Sequence, residues 1–120
     1  VPLDLRRFDA IDWDPDDDAN GNLVHCMRAE HLGPTPERIV AEVLSEEPVE
    51  VKMKVHTAEF AVVGPDRSRS VLWVVLLDTS HKRGDWLRPV TGWRAGDAER
   101  QSWTRGRRGG SAVAPWFSGI

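Results

Sequence analysis

The chain has 120 residues, 40% of them hydrophobic and 29% charged, enough apolar material for one core and too little length for a second. It contains no run of about 18 apolar residues and no charged-then-apolar opening of a secretory leader, so a cytoplasmic protein without a membrane partner is expected. Cys26 is the only cysteine, which excludes an internal disulfide framework and agrees with a reducing compartment. The chain begins on Val1, as a trimmed chain or one with an alternative start codon would.

The net charge of −3 argues against general polyanion binding, but it hides an asymmetry. Six aspartates (Asp9, Asp12, Asp14, Asp16, Asp17, Asp18) fall within ten residues, and without them the rest of the chain is net positive. Arginines gather toward the end, at Arg94, Arg100, Arg105, Arg107 and Arg108. Such a basic end can meet phosphate or an acidic partner, or simply be solvated.

In chain order, Phe8 to Trp13 reads as a strand that Asp14-Pro15 terminates. A helix is expected from Ala19 to His31, its stripe being Leu23, Cys26, Met27 and Glu30. Leu32-Gly33-Pro34 breaks it. Thr35-Pro36-Glu37 then opens a second helix with a cap, a proline at the first helical position and an acid, and its apolar face is Ile39, Val40, Val43 and Leu44. From Val49 the period becomes two: Val49, Val51, Met53 and Val55 alternate with Glu50, Lys52, Lys54 and His56, as on a half-buried strand.

Phe60 to Val63 is a further strand, followed by a turn at Gly64-Pro65-Asp66. The continuous apolar run Val71 to Leu77 predicts a central strand covered on both faces. Trp86 to Trp93 is the last strand, with Pro89 marking an edge or a bulge, and a closing helix is expected from Ala95 to Thr104. The fold class is therefore α+β, an N-terminal strand and two helices packed on a four- to five-stranded, mostly antiparallel sheet. A single domain covers residues 1–104, and 105–120, with Gly106, Gly109, Gly110 and Ser111, reads as a flexible basic tail.

That order, with three local patterns, resembles the BrnT-like toxins of the RelE-like ribonuclease superfamily. The patterns are Trp13-Asp14 before Asn20-Gly21-Asn22-Leu23 with His25 and His31; the short helix from Thr35-Pro36-Glu37 to Val43-Leu44; and Arg88-Pro89-Val90-Thr91-Gly92-Trp93-Arg94-Ala95 with Glu99-Arg100. The match spans roughly residues 8 to 104. The resemblance implies a RelE-like fold, RNA or ribosome-directed cleavage, neutralisation by a cognate antitoxin, and a higher-order assembly such as a homo-oligomer. The chain departs from the family at two points: an acid stands in Ala58-Glu59-Phe60 where the family carries a basic residue, and Thr91-Gly92-Trp93 replaces Ser-Ala-Arg.

Metal-independent RNA cleavage needs a base for the 2′-hydroxyl, an acid for the leaving oxygen and a cation for the phosphorane. His56 and Glu99 are the acid–base candidates, with Arg94 beside them as the catalytic cation. Lys52, Lys54, Arg88 and Arg100 are the RNA-binding candidates; Arg88 and Arg94 share a parity on the last strand and reach one face if no bulge intervenes. The competing reading of this alternating face is plain solvation. No cofactor is expected.

Six tryptophans stand against no tyrosine, and Trp86, Trp93 and Trp103 near the end of the domain suit a partner surface or base stacking. A non-catalytic interaction module built on those tryptophans is the alternative reading. A third is a calcium-binding domain, because Asp16-x-Asp18-x-Asn20-Gly21-x-Leu23 matches half of a calcium loop, although Met27 occupies the position of the bidentate acid. Zinc is not expected: on one regular helix His25 and His31 would point about 240° apart.

Overall fold

The structure, a computed structural model, describes residues 3–46, 48–52 and 58–107. After a 3₁₀ turn at Leu5–Arg7 come β1 (Ala10–Ile11), α1 (Asn22–Cys26), α2 (Pro36–Ser45), β2 (Val49–Glu50), β3 (Phe60–Pro65), β4 (Leu72–Thr79), β5 (Trp86–Arg94) and α3 (Asp97–Arg107). The five strands form one mixed sheet in the order β1-β5-β4-β3-β2. The β2–β5 stretch is an antiparallel meander that returns to β1, and β1 pairs parallel with β5 through Ala10–Trp86 and Ile11–Leu87. The α+β class and the mostly antiparallel sheet expected from the sequence are what the chain adopts.

Two apolar clusters lie on the two faces of this sheet. On one face, Ile39, Val40, Val43 and Leu44 of α2 pack with Phe8, Cys26 and Leu32 against Val62, Trp73, Val75, Leu77 and Leu87. On the other, Ala61, Val63, Val74, Leu76 and Ala95 are buried, with Trp93 and Trp103 packed against them. β4 is thus covered on both faces, which is why it reads as an unbroken apolar run. The α2 start is also as its residues dictate, with Pro36 at the first helical position and the Ile39 N–H bonded to the Thr35 carbonyl.

Three elements differ from expectation. The first helix is only five residues long, not thirteen. Before it, Asp16–Asn20 is spent in turns, where Asp18 Oδ1 accepts the Asn20 N–H and the Gly21 N–H bonds the Asp18 carbonyl. After Cys26 the chain leaves the helix, Gly33 adopts a φ of +80°, and Met27 is left exposed instead of joining the stripe. The closing helix runs on to Arg107, so Arg105 and Arg107 belong to it and not to a tail; residues 108–120 lie outside those described. Only Val49 and Glu50 of the alternating segment form regular strand; the Val51 N–H still bonds the Ala61 carbonyl, and Met53, Lys54, Val55 and His56 lie outside the described residues.

The last strand carries a β-bulge, one of the two readings that Pro89 offered. Pairing between β4 and β5 slips at Leu76/Leu77, so that Thr91 faces Leu76 while Pro89 faces Leu77, leaving Val90 unpaired. Two residues later Gly92 lies under Leu32: an added Cβ would stand 2.6 Å from the Val74 carbonyl oxygen and 2.7 Å from Leu32 Cδ2. Because one of those neighbours is sheet backbone, Gly92→Ala is expected to cost about 1–3 kcal/mol, read as a lower thermal midpoint with unchanged circular dichroism.

Candidate functional site

The site is built where β1 ends and leaves the outer edge of β5 without a strand partner. α1 takes over that edge. Asn22 Nδ2 donates to the Pro89 carbonyl at 2.8 Å and to the Asp12 carbonyl at 2.9 Å, and Cys26 Sγ lies 3.9 Å from the Val90 carbonyl. The Asn22 side-chain oxygen accepts the Asp14 N–H at 2.8 Å, while its own N–H reaches Asp14 Oδ2 at 2.9 Å. One buried asparagine therefore fixes β1, α1 and β5 relative to one another, because each of these backbone groups would otherwise be unsatisfied. Cys26 is a packing residue; burial pushes its thiol up to about 11, which makes it a poor nucleophile.

Beneath α1 lies an ionic cluster. Arg88 grips Asp14 through both terminal nitrogens, at 3.0 and 2.6 Å, and reaches Asp12 at 3.4 Å. Asp12 also accepts the Ser80 hydroxyl at 2.7 Å, and Lys82 approaches Asp14 at 3.5 Å. The carboxylates are nearly buried, at 8% and 9% side-chain exposure, and Arg88 is at 21%. The Arg88 guanidinium, followed by the Asn22 N–H, holds the Asp14 carboxyl far below the usual carboxylate range despite its burial.

Above this cluster two imidazoles meet. His25 Nε2 and His31 Nδ1 lie 3.1 and 3.3 Å from the same Thr91 hydroxyl, and the rings stack with centroids 4.4 Å apart. The hydroxyl can donate to one ring and accept from the other, giving a His–Thr–His chain along which a proton can pass. Burial, then the neighbouring His31 and Arg28, push the His25 pKa below the ordinary imidazole range and so favour its uncharged form, the form that can accept a proton.

The pair stands between two clefts. His25 lines a shallow one of about 390 Å³ with Asn20, Asp78, Arg88 and Val90. His31 lines a larger groove of about 580 Å³ with Glu30, Arg38, Trp73, Trp93 and Arg94.

Among the described residues the expected site is dispersed. His56 and Lys54 lie outside the described residues. Lys52 is exposed beyond β2, at the opposite edge of the sheet from β5, on the order of 14 Å away by strand spacing. The bulge at Val90 puts Arg88 and Arg94 on opposite faces: Arg94 pairs with Trp73 on the α2 face, whereas Arg88 turns to Asp14. Arg88 is thus an ion-pair partner and not a free phosphate ligand.

Glu99 sits in the first turn of α3 beside Gly96, and Arg100 lines a separate small hollow with Arg69 and Trp103. The three tryptophans do not form one cluster. Trp93 and Trp103 pack on the second apolar cluster, while Trp86 starts β5, roughly 20 Å along the strand, under the Arg83 guanidinium at 4.6 Å.

Sequence reasoning missed the histidine pair. A regular helix keeps the two rings apart, but this helix stops at Cys26 and the following turns bring His31 back over His25. The available signal was Gly21 before the helix and Gly33 after it, both marking a helix too short for a regular projection.

No family model, curated protein or solved structure matches the chain. Among the described residues no group of three or more His, Cys, Asp or Glu side chains is placed to hold a metal ion, and no helix is long and apolar enough to cross a membrane.

Proposed function

We propose that the chain is the toxin component of a toxin–antitoxin-like system, a divergent relative of the BrnT-like proteins that cleaves RNA without a metal in the cytoplasm. The observation that carries this reading is the convergence of His25 and His31 on one hydroxyl between two clefts. His25, its uncharged form favoured, is suited to take the 2′-hydroxyl proton, and His31 to protonate the leaving 5′-oxygen. Arg94 and Arg38 supply positive charge beside His31. In this reading His25 and His31 take the acid–base roles, while Glu99 sits on α3 and His56 lies outside the described residues.

The test is incubation of purified chain with end-labelled single-stranded RNA in the presence of a chelator. Products ending in 2′,3′-cyclic phosphate are expected, and induced expression without an antitoxin should arrest growth. Intact RNA together with normal growth would reject the enzymatic reading.

A second reading, a non-catalytic interaction module on the same fold, is favoured by one observation: the expected phosphate cation Arg88 is consumed by Asp12 and Asp14. It predicts that Trp93→Ala with Trp103→Ala abolishes complex formation with a protein partner, whereas His25→Ala leaves it intact.

A further inference from the structure

The larger groove has features that the cleavage chemistry alone does not use. It forms where the α1–α2 connection, residues 29–35, faces the end of β5. Trp73 forms part of its wall and is held in place, 7% exposed, with its indole N–H donating to Asp66 Oδ2 at 3.2 Å. The Arg94 guanidinium lies 5.7 Å from the centre of that ring. Arg94 is exposed and makes no ion pair among the described residues, so its position is set by an aromatic face while its donors remain unspent.

Arg38 is committed to Glu42 at 2.9 Å, but it is 58% exposed and keeps its positive end at the groove. Glu30 is the only acid among the lining residues. Trp93, half-buried, lines the same groove, as does His31. A part-exposed indole, an unspent guanidinium and an imidazole lining one groove match the three parts of a nucleotide in a single strand: base, phosphate and the bond to be cut. The volume, about 580 Å³, falls within the range of small-ligand sites.

We propose that this groove binds one nucleotide of single-stranded RNA, its base against Trp93 and its phosphate on Arg94, and so selects where the strand is cut. The proposal rests on the RNA-cleaving reading above for the cut but not for the binding. Duplex RNA is excluded, because paired and stacked bases cannot offer a face to the indole.

The test uses the full chain and a fluorescein-labelled 2′-O-methyl RNA octamer, which lacks the nucleophilic hydroxyl and cannot be cleaved. Binding is read by polarisation across a salt series. Trp93→Ala is expected to weaken binding about tenfold, as for loss of one stacked base. Arg94→Gln should weaken it and lower the salt slope by about one. Arg6→Gln, a substitution of an exposed cation that does not line the groove, should change neither quantity. Unlabelled single strand should compete and the same sequence as a duplex should not.

Because Trp93 also packs on the second apolar cluster, the exposed Arg94→Gln variant decides the matter if Trp93→Ala melts early. Wild-type protein that fails to bind the octamer, variants within twofold of wild type, or equal competition by duplex would overturn the groove. Binding with these sensitivities but no cleavage of ordinary RNA would keep the groove and reject the ribonuclease.

Discussion

Replacing Arg88 by methionine is expected to lower folding stability by about 3 kcal/mol, a fall in the thermal midpoint on the order of 10 °C. The cost follows from what remains behind. Asp12 and Asp14 are nearly buried, and without the guanidinium Asp14 keeps the Asn22 N–H at 2.9 Å and a 3.5 Å contact to Lys82, while Asp12 keeps the Ser80 hydroxyl. Two carboxylates left in low dielectric without their cation are costly, whereas the pair replaced as a unit is not. The double variant Arg88→Met with Asp14→Asn should therefore be more stable than Arg88→Met alone, because the amide removes the stranded charge. Equal or greater loss in the double variant, measured by denaturant titration, would show that Arg88 acts through packing and not through its charge.

The same pair sets an acid dependence. Asp14 is held well below the unfolded carboxylate value of about 3.9, so its contribution is complete above about pH 4 and is lost as pH falls further. Arg88→Met loses that contribution at every pH. Its deficit relative to the wild type should be largest above pH 4 and should narrow in stronger acid, where Asp14 protonates in the wild type as well. A deficit that is constant with pH would place the stabilisation elsewhere.

The parts of the molecule that follow a local rule were legible in the sequence. Thr35-Pro36-Glu37 announces α2, and its four apolar positions are all buried; the apolar run of β4 announces a strand covered twice. Pro89 announced an irregular strand, but not the flip of side chains that Val90 introduces, since a bulge is a property of two strands and its register depends on Leu76 and Leu77 across the ladder.

The site depends on such non-local facts almost throughout. Two of the six clustered aspartates, Asp12 and Asp14, are buried because β1 runs beside β5 and brings them to Arg88, more than seventy residues away. Asn22 reads as a helix residue with poor propensity; its role is to bond the backbone of β5 and of the segment that follows β1, which no helical periodicity encodes. His25 and His31 converge only because the helix ends early, a boundary that propensity places least well.

The largest effect on chemistry is expected at His25. Its replacement by alanine should lower RNA cleavage by about 10²–10⁴-fold, the usual contribution of one general base, with folding stability nearly unchanged. The rate should rise with pH as His25 loses its proton. The midpoint of that rise should lie below the ordinary imidazole range, because burial first and the His31 charge second oppose protonation. His31→Gln removes the second of these causes while retaining a hydrogen-bonding side chain near Thr91. In that variant the residual activity should rise with pH at a higher midpoint than in the wild type.

Thr91→Val separates the relay from the rings. It leaves both imidazoles in place but removes the hydroxyl that joins them, so the rate should fall while the rising limb stays near its wild-type position. A limb that does not move in His31→Gln, together with full activity in Thr91→Val, would mean that the two imidazoles do not act as a unit and that the stack serves packing alone.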